Sequence, residues 1–524
     1  MTDFEFDRIS KIVETDSLLN KIISETLMVQ EEDSDNKDSE DGSALLMNLS
    51  SIIESGLDIS EENQDVKVDM INKYTPLYKS FLEWLIRDQG SIDSNVIKQI
   101  DQWINQIDEL LSIQLNEIIH ESEFQKLESS WRGLQYLANK THTGNLLKIK
   151  VMSATKEDLE KDMKKQEDFD QSFLYKKLYT FSLGAFGAHP YGAIIGDYEF
   201  MNTPMDIELL RHISGIAAVA HAPFISAASP RLFGWKSFTQ LNDNIDISEI
   251  FSEDDYIDWN DFRSSSDSRY VSLVLPHFLL RLPYGNETNP VKSFNFEEGI
   301  DCSDHSKYLW GNAAYALGER ITNAFFETGW FARIRGVENG GLVKLPCLHT
   351  YKTQKGLNTY TCPTEVIIPA NRGREFADNG FIPLIYYQNT KDAVFVSVQT
   401  VNKPEKFDEP QVNANAIMSS QMQNILCVSR FSHYLKCIIR DKLGGFTDKD
   451  SLQNYLDNWI KQYVLLNKTS DPIKLAEKPL NWKKIIVTDI PGKVGAYNVI
   501  IKLKPHFQLE EVTISMRLVS EASE

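Results

Sequence analysis

An α/β (α+β) fold is predicted for this chain of 524 residues, and three observations predict it. Short strand-like runs alternate with helical patterns between Leu146 and Phe200. Apolar runs at Val366 to Ile368, Phe381 to Tyr386 and Ala393 to Val398 precede a long amphipathic segment. A composition that is 42% hydrophobic and 11% aromatic supplies a large core, and the length suits two to four domains or layers.

The chain opens on a helical stripe, Ile9, Ile12, Val13, Leu19, Ile22 and Ile23, at mostly three- and four-residue steps. That stripe has no local element to cover it, so docking on its own domain and docking on a remote partner both stay open. Glu31, Glu32, Asp33, Asp35, Asp38, Glu40 and Asp41 follow, relieved only by Lys37, and read as a solvated linker. A second apolar group, Leu45, Leu46, Leu49, Ile52 and Ile53, has helical spacing.

From Tyr74 to Lys140 the pattern is helical, with Ile97, Ile100, Ile104, Ile107, Leu110 and Leu111 on one face and a break near Ser122. Strands are expected at Leu147 to Val151 and Ala193 to Ile195. A helix from about Asn413 to Lys442 ends at Gly444-Gly445, and another spans Ser451 to Leu465. Three strands close the chain. In the last, Val512, Ile514, Met516 and Leu518 alternate with Thr513, Ser515 and Arg517, as a half-buried strand requires. Its own sheet and another protomer's sheet are equally compatible with that alternation.

Composition narrows the function. A formal net charge of −21 repels nucleic acid, and no basic face interrupts it in the sequence. Five cysteines without C-x-x-C spacing suggest reduced, mostly buried thiols rather than a zinc site or disulfide framework. The acidic start does not resemble a signal peptide, and the least polar stretch, Ile213 to Ser229, is too short to cross a bilayer, so a cytoplasmic protein without membrane insertion is expected.

Chemistry-bearing residues are sparse. Asp197 and Glu199, two apart on a strand, could hold a magnesium ion or act as an acid and base pair, but no third ligand is nearby, and a solvated or arginine-paired strand end is the plainer reading. His221 lacks an adjacent nucleophile motif, which favours a buried, hydrogen-bonded histidine. Cys427 and Cys437 lie ten residues apart on different faces of one helix and would ligate a metal poorly. The glycines of Arg335-Gly336-Val337-Glu338-Asn339-Gly340-Gly341 match no phosphate-loop signature and suit a turn with positive φ. No cofactor or metal is expected. The rival reading is a cytosolic hydrolase or nucleotide-binding enzyme whose motifs are cryptic, or else a soluble adaptor.

One resemblance is specific. Pro190-Tyr191-Gly192-Ala193-Ile194-Ile195-Gly196-Asp197-Tyr198-Glu199-Phe200, Tyr308-Leu309-Trp310-Gly311-Asn312-Ala313, Gly329-Trp330 and the glycine-rich stretch just quoted are similar to the large subunit of the type VI secretion contractile sheath, the TssC/VipB family that includes IglB-like proteins. Leu127 to Leu134, His221-Ala222-Pro223-Phe224, Arg430 to Lys436 and Pro505 to Glu510 extend it in order to the C-terminus, while Asp243 to Ser266 is unusually acidic and long.

The resemblance implies a structural protein, not an enzyme, with a tail-sheath-like core, an N-terminal helical extension and C-terminal strands that pair with neighbours. It implies co-assembly with a small TssB/VipA/IglA-like subunit into a helical polymer around an Hcp-like inner tube, on a baseplate, with recycling by an AAA+ unfoldase. Under it, residues 1–70 form the outer partner region, 71–360 the sheath core and 361–524 the C-terminal sheath domain. The implied contacts are Ile12, Leu19, Ile22 and Ile23 for the unfoldase. Val512, Ile514, Met516 and Leu518 would serve the neighbouring protomer, and Arg372, Arg374 and Glu375 the inner tube.

Overall fold

The computed structural model describes Pro76, Ser80 and residues 95–165, 169–185, 187–241, 245–286, 288–292, 294–298, 300, 305–352, 358–360, 362–388, 390–441, 449–465, 471–489 and 497–506. Two compact units divide the chain: 1–124 with 282–301, and 125–281 with 302–524. In the first, helix α1 (Asn95–Ile119) carries the expected apolar stripe, with Ile107, Leu110 and Ile118 exposed. Glu298 accepts from the backbone N–H of Tyr284 at 2.8 Å and lies 3.1 Å from Nε2 of His120. The next helix, α2 (Ser122–Lys140), begins after the anticipated break.

The second unit is organised on a six-stranded mixed sheet. Its strands are β1 (Ile194–Phe200), β2 (Phe224–Ala228), β3 (Val271–Leu275), β4 (Leu342–Lys344), β5 (Phe381–Tyr386) and β6 (Asp392–Phe395), in the order β1-β2-β3-β5-β6-β4. The first four neighbours run parallel, and β6 pairs antiparallel with both β5 and β4. Parallel strands need covering on both faces, and β2, β3 and β5 are buried along almost their whole length. Successive residues therefore point to opposite cores. Phe224, Leu273 and Phe381 enter one, with Ile207, Leu210, Ile213 and Ala217 of helix α4 (Pro204–Ala220); Ile225, Val274 and Ile382 enter the other, with Leu317, Ile321 and Ala324 of helix α6 (Ala314–Thr328). In sequence, α3 (Lys156–Lys165) comes ahead of β1 and α5 (Ile257–Ser264) ahead of β3.

Helix α4 is bounded as its sequence demands. Thr203 caps it by accepting from the backbone N–H of Asp206, Pro204 takes the first turn, and His221 ends it in the left-handed region at φ 52°. Gly133 on α2 lies against the Tyr315 ring on α6, where a Cβ would meet ring carbons at 2.5 Å. The glycine-rich turn also behaves as expected: Gly336 and Gly340 have φ of 75° and 85°, and the N–H of Gly341 returns to the carbonyl of Gly336.

The remaining helices are α7 (Ala370–Asp378), α8 (Pro410–Ser419), α9 (Met422–Asp441), α10 (Lys449–Lys461) and α11 (Pro472–Glu477). The single helix expected from Asn413 to Lys442 is thus two. At the break, the Ser420 carbonyl accepts from Thr400 and the Met422 N–H donates to Val398, so backbone groups that would continue the helix serve the segment leaving β6. The runs Leu147 to Val151 and Val366 to Ile368 form no strand and join no ladder; apolar content alone did not distinguish them from strands. A third core lies beyond α9. Trp330 stacks on Phe431 with ring centroids 4.3 Å apart, and Leu435, Leu456, Ile460, Ile485 and Val487 close around the pair.

Candidate interaction surfaces

Ile485 and Val487 belong to a two-stranded antiparallel ribbon, β7 (Leu480–Asp489) and β8 (Tyr497–Pro505). Alternation decides its two faces. Ile485 and Val487, with Tyr497, Val499, Ile501 and Leu503 across the register, pack toward α9 and α10. Trp482 and Ile500 point the other way and remain 49% and 43% exposed. Near its start β7 is tied to Tyr463 and Leu465 through the backbone of Leu480. Among the described residues, neither strand has any further ladder partner, so both lateral edges keep unpaired backbone groups.

Helix α7 holds the three charged residues expected on the inner tube, and the structure separates them. Arg372 turns inward, donates to the Ile245 carbonyl and pairs with Glu375, while Phe376 one turn on enters the core. Arg374 is exposed and Glu375 half-buried. Only Arg374 therefore presents its side chain largely to solvent in this chain.

The chemistry candidates are each occupied by a different neighbour. Asp197 accepts from Nδ2 of Asn312 at 3.3 Å and from the Tyr315 hydroxyl. Nearby, the register of β1 and β2 shifts, and the Ser226 hydroxyl bonds the carbonyls of Gly196 and Tyr198. Glu199 instead meets a histidine that the sequence reading did not single out. Nε2 of His277 lies 3.0 Å from Glu199, Nδ1 lies 2.7 Å from Glu365, and Glu365 also accepts from Ser237 at 2.9 Å. Burial alone would lower the His277 pKa, but hydrogen bonds to two carboxylates and their attraction outweigh it and raise the value to about 10. Both carboxyls, Glu365 buried and Glu199 about half exposed, are held below their usual range by that imidazolium. The result is a charged brace. No spacing rule joins positions 199, 277 and 365, because the sheet brings them together.

His221 lies 3.5 Å from the Tyr270 hydroxyl and edge-on to His433, whose Nε2 is 2.8 Å from the Ala220 carbonyl. Burial pushes both imidazoles down to about 4, so they are neutral near neutral pH. Cys347 and Cys427 are buried, Cys362 and Cys437 partly so, and all four are free thiols. No group of three or more His, Cys, Asp or Glu suited to a metal occurs among the described residues, and none of their helices is long and apolar enough to cross a membrane. The remaining predicted contacts, Ile12, Leu19, Ile22 and Ile23 at one end and Val512, Ile514, Met516 and Leu518 at the other, lie outside the described residues.

Comparison with known proteins accounts for this architecture. Residues 101–402 match the family model of the EvpB/VC_A0108 tail sheath N-terminal domain, and residues 411–522 match the tail sheath gpW/gp25-like domain of the same family. The boundary between the models falls just before α8, so the β7–β8 ribbon belongs to the second. The chain is also 43% identical over 446 residues to the type VI secretion system sheath protein TssC1 of Pseudomonas aeruginosa, covering 84% of this chain and 90% of that protein. The chain belongs to the EvpB/VC_A0108 tail-sheath family and is a structural sheath subunit.

Proposed function

We propose that this chain is the large subunit of a type VI secretion contractile sheath, which co-assembles with a small sheath subunit into a helical cylinder around an inner tube. The relative named TssC1 supports the secretion system. The observation that carries the mode of assembly is the β7–β8 ribbon, which has a core on one face and, among the described residues, no further strand on either edge. An extended segment added to either edge satisfies backbone groups with little demand on side-chain identity. A heterologous contact of that kind, repeated without closing, generates an open helical polymer. Contraction is then a shift between two packings of the same subunits.

The segment Val512 to Val519 is the donor strand in this reading, reaching a neighbouring protomer. The stripe Ile12, Leu19, Ile22 and Ile23 engages an AAA+ unfoldase that recycles contracted sheath. Arg374, beside the Arg372–Glu375 pair, faces an Hcp-like inner tube, and the polymer starts on a baseplate. The test is electron microscopy of the chain co-expressed with candidate small subunits. Long hollow cylinders are expected. Ser515→Pro should keep the heterodimer and lose long cylinders, because it removes a ladder donor. Native-length contractile cylinders with proline at 515, or loss of the heterodimer itself, would refute the strand assignment. Leu19→Asp with Ile22→Asp should spare assembly and block disassembly; unchanged unfoldase binding would remove the N-terminal stripe from that role.

A further inference from the structure

The solvent face of the β7–β8 ribbon is unlike the rest of this acidic chain. Trp482, Lys484 and Ile486 project from β7, and Ile500, Lys502 and Lys504 from β8. The register sets Lys484 opposite Lys502, Ile486 opposite Ile500 and Trp482 opposite Lys504. The ribbon's ion pairs belong to its other face, Lys483 with Asp457 and Asp489 with Lys449. Among the described residues, no carboxylate pairs with Lys484, Lys502 or Lys504. Like charges set directly opposite on a sheet repel. Lysines that merely guard an edge against aggregation would explain the charge, but not an indole 49% exposed and an isoleucine 43% exposed beside them.

The complement of such a face is an acidic segment followed by apolar side chains. Two of the chain's acidic stretches are the densest in carboxylates. The one around Glu249 to Asp261 is folded with its aromatic residues inward, since Tyr256, Trp259 and Phe262 are buried. The other is Glu31 to Asp41, seven carboxylates relieved by Lys37, with Leu45, Leu46, Leu49, Ile52 and Ile53 behind it. We infer that the outer face of the ribbon receives this acidic tract and its trailing apolar group from a second copy of the chain. The carboxylates neutralise the three lysines, and the leucines and isoleucines cover Trp482, Ile486 and Ile500. A polyanion such as nucleic acid would meet the lysines only. It would leave the apolar centre uncovered and would approach against a net charge of −21. The inference rests on the sheath reading only in requiring that copies meet.

The test is fluorescence anisotropy of a labelled peptide of residues 29–55, titrated with the full chain from the co-expression that yields cylinders. Binding that weakens steeply with salt is expected. Lys484→Glu, Lys502→Glu and Lys504→Glu together should weaken it by about tenfold or more. A peptide with its acids replaced by lysine should bind that reversed face, which no misfolded variant would restore. Equal binding to the triple variant overturns the inference, as does tighter binding of an oligonucleotide or an anionic vesicle than of the peptide. Binding that appears only once the chain's own Glu31, Glu32, Asp33 and Asp35 are changed to Lys assigns the face to the same copy, and overturns it too. The two readings fail separately: cylinders without peptide binding remove this contact and leave the sheath, whereas peptide binding without cylinders does the reverse.

Discussion

The six-stranded sheet and the β7–β8 ribbon use the same ingredients, β-branched and aromatic residues, yet among the described residues one has a packed layer on each face and the other on one face only. In the sheet, β1, β2, β3 and β5 direct alternate side chains into two cores. In the ribbon, Ile485 and Val487 are buried while Trp482 and Ile500 are not. Fully burying a large apolar side chain contributes roughly 1.5–3 kcal/mol, so Trp482 and Ile500, each about half exposed, together leave roughly that amount unrealised. A sheath subunit has a use for that remainder. The sheet is covered on both faces within the chain, and the ribbon leaves a face with exposed apolar side chains.

Substitutions can break this comparison, beginning with the largest effect. Phe381→Ala, in the aromatic cluster with Phe233, Phe251 and Trp259, should cost about 3–5 kcal/mol by chemical denaturation. A cost no larger than that of the ribbon substitution below would mean the sheet core is not the main source of stability.

Acidification should act next. His221 and His433 are held neutral by burial, with pKa values about 4 against 6.5 for the free side chain, so the unfolded chain binds more protons between these values. Stability is therefore lost as pH falls from 6.5 toward 4, by roughly a few kcal/mol in total. His277 has the opposite sign. Its contribution is full below pH 6.5 and is lost as pH rises through about 10. Melting temperature followed across pH should thus decline on both sides, and His277→Gln should flatten the alkaline limb alone.

Gly133→Val, forced against Tyr315, should destabilise by about 1–3 kcal/mol. Smallest for the isolated subunit is Ile500→Ala, at less than about 1 kcal/mol because the side chain is already 43% exposed. Its effect should appear instead in cylinder length by electron microscopy. Unfolding of the subunit by this change would mean that the ribbon's outer face is part of the fold.

Much of this contrast was legible in the sequence. The runs at Phe381 to Tyr386 and Ser451 to Leu465 became β5 and α10 because a continuous apolar run and a helical stripe each have one stable solution nearby. The break between α8 and α9 was not legible, since the carbonyl of Ser420 is claimed by Thr400 and only the folded chain brings the two together. The same limit hid the His277 brace. Glu199 alone suggested a strand-end carboxylate; its partner His277 comes from β3's exit, and Glu365 holds the other nitrogen of that ring. For Arg372 the sequence supplied the charge but not its direction, and burial beneath Ile245 turned it inward.

Helix α9 belongs to two cores at once: Met422 and Leu426 pack beneath the central sheet, while Cys427, Phe431 and Leu435 pack beneath the ribbon. Mechanically this makes the helix a shaft. Load entering the ribbon at Ile485 reaches Phe431 on that shaft, and Met422 and Leu426 carry it to the core beneath the six-stranded sheet of the same unit, so one helix couples the ribbon to the sheet.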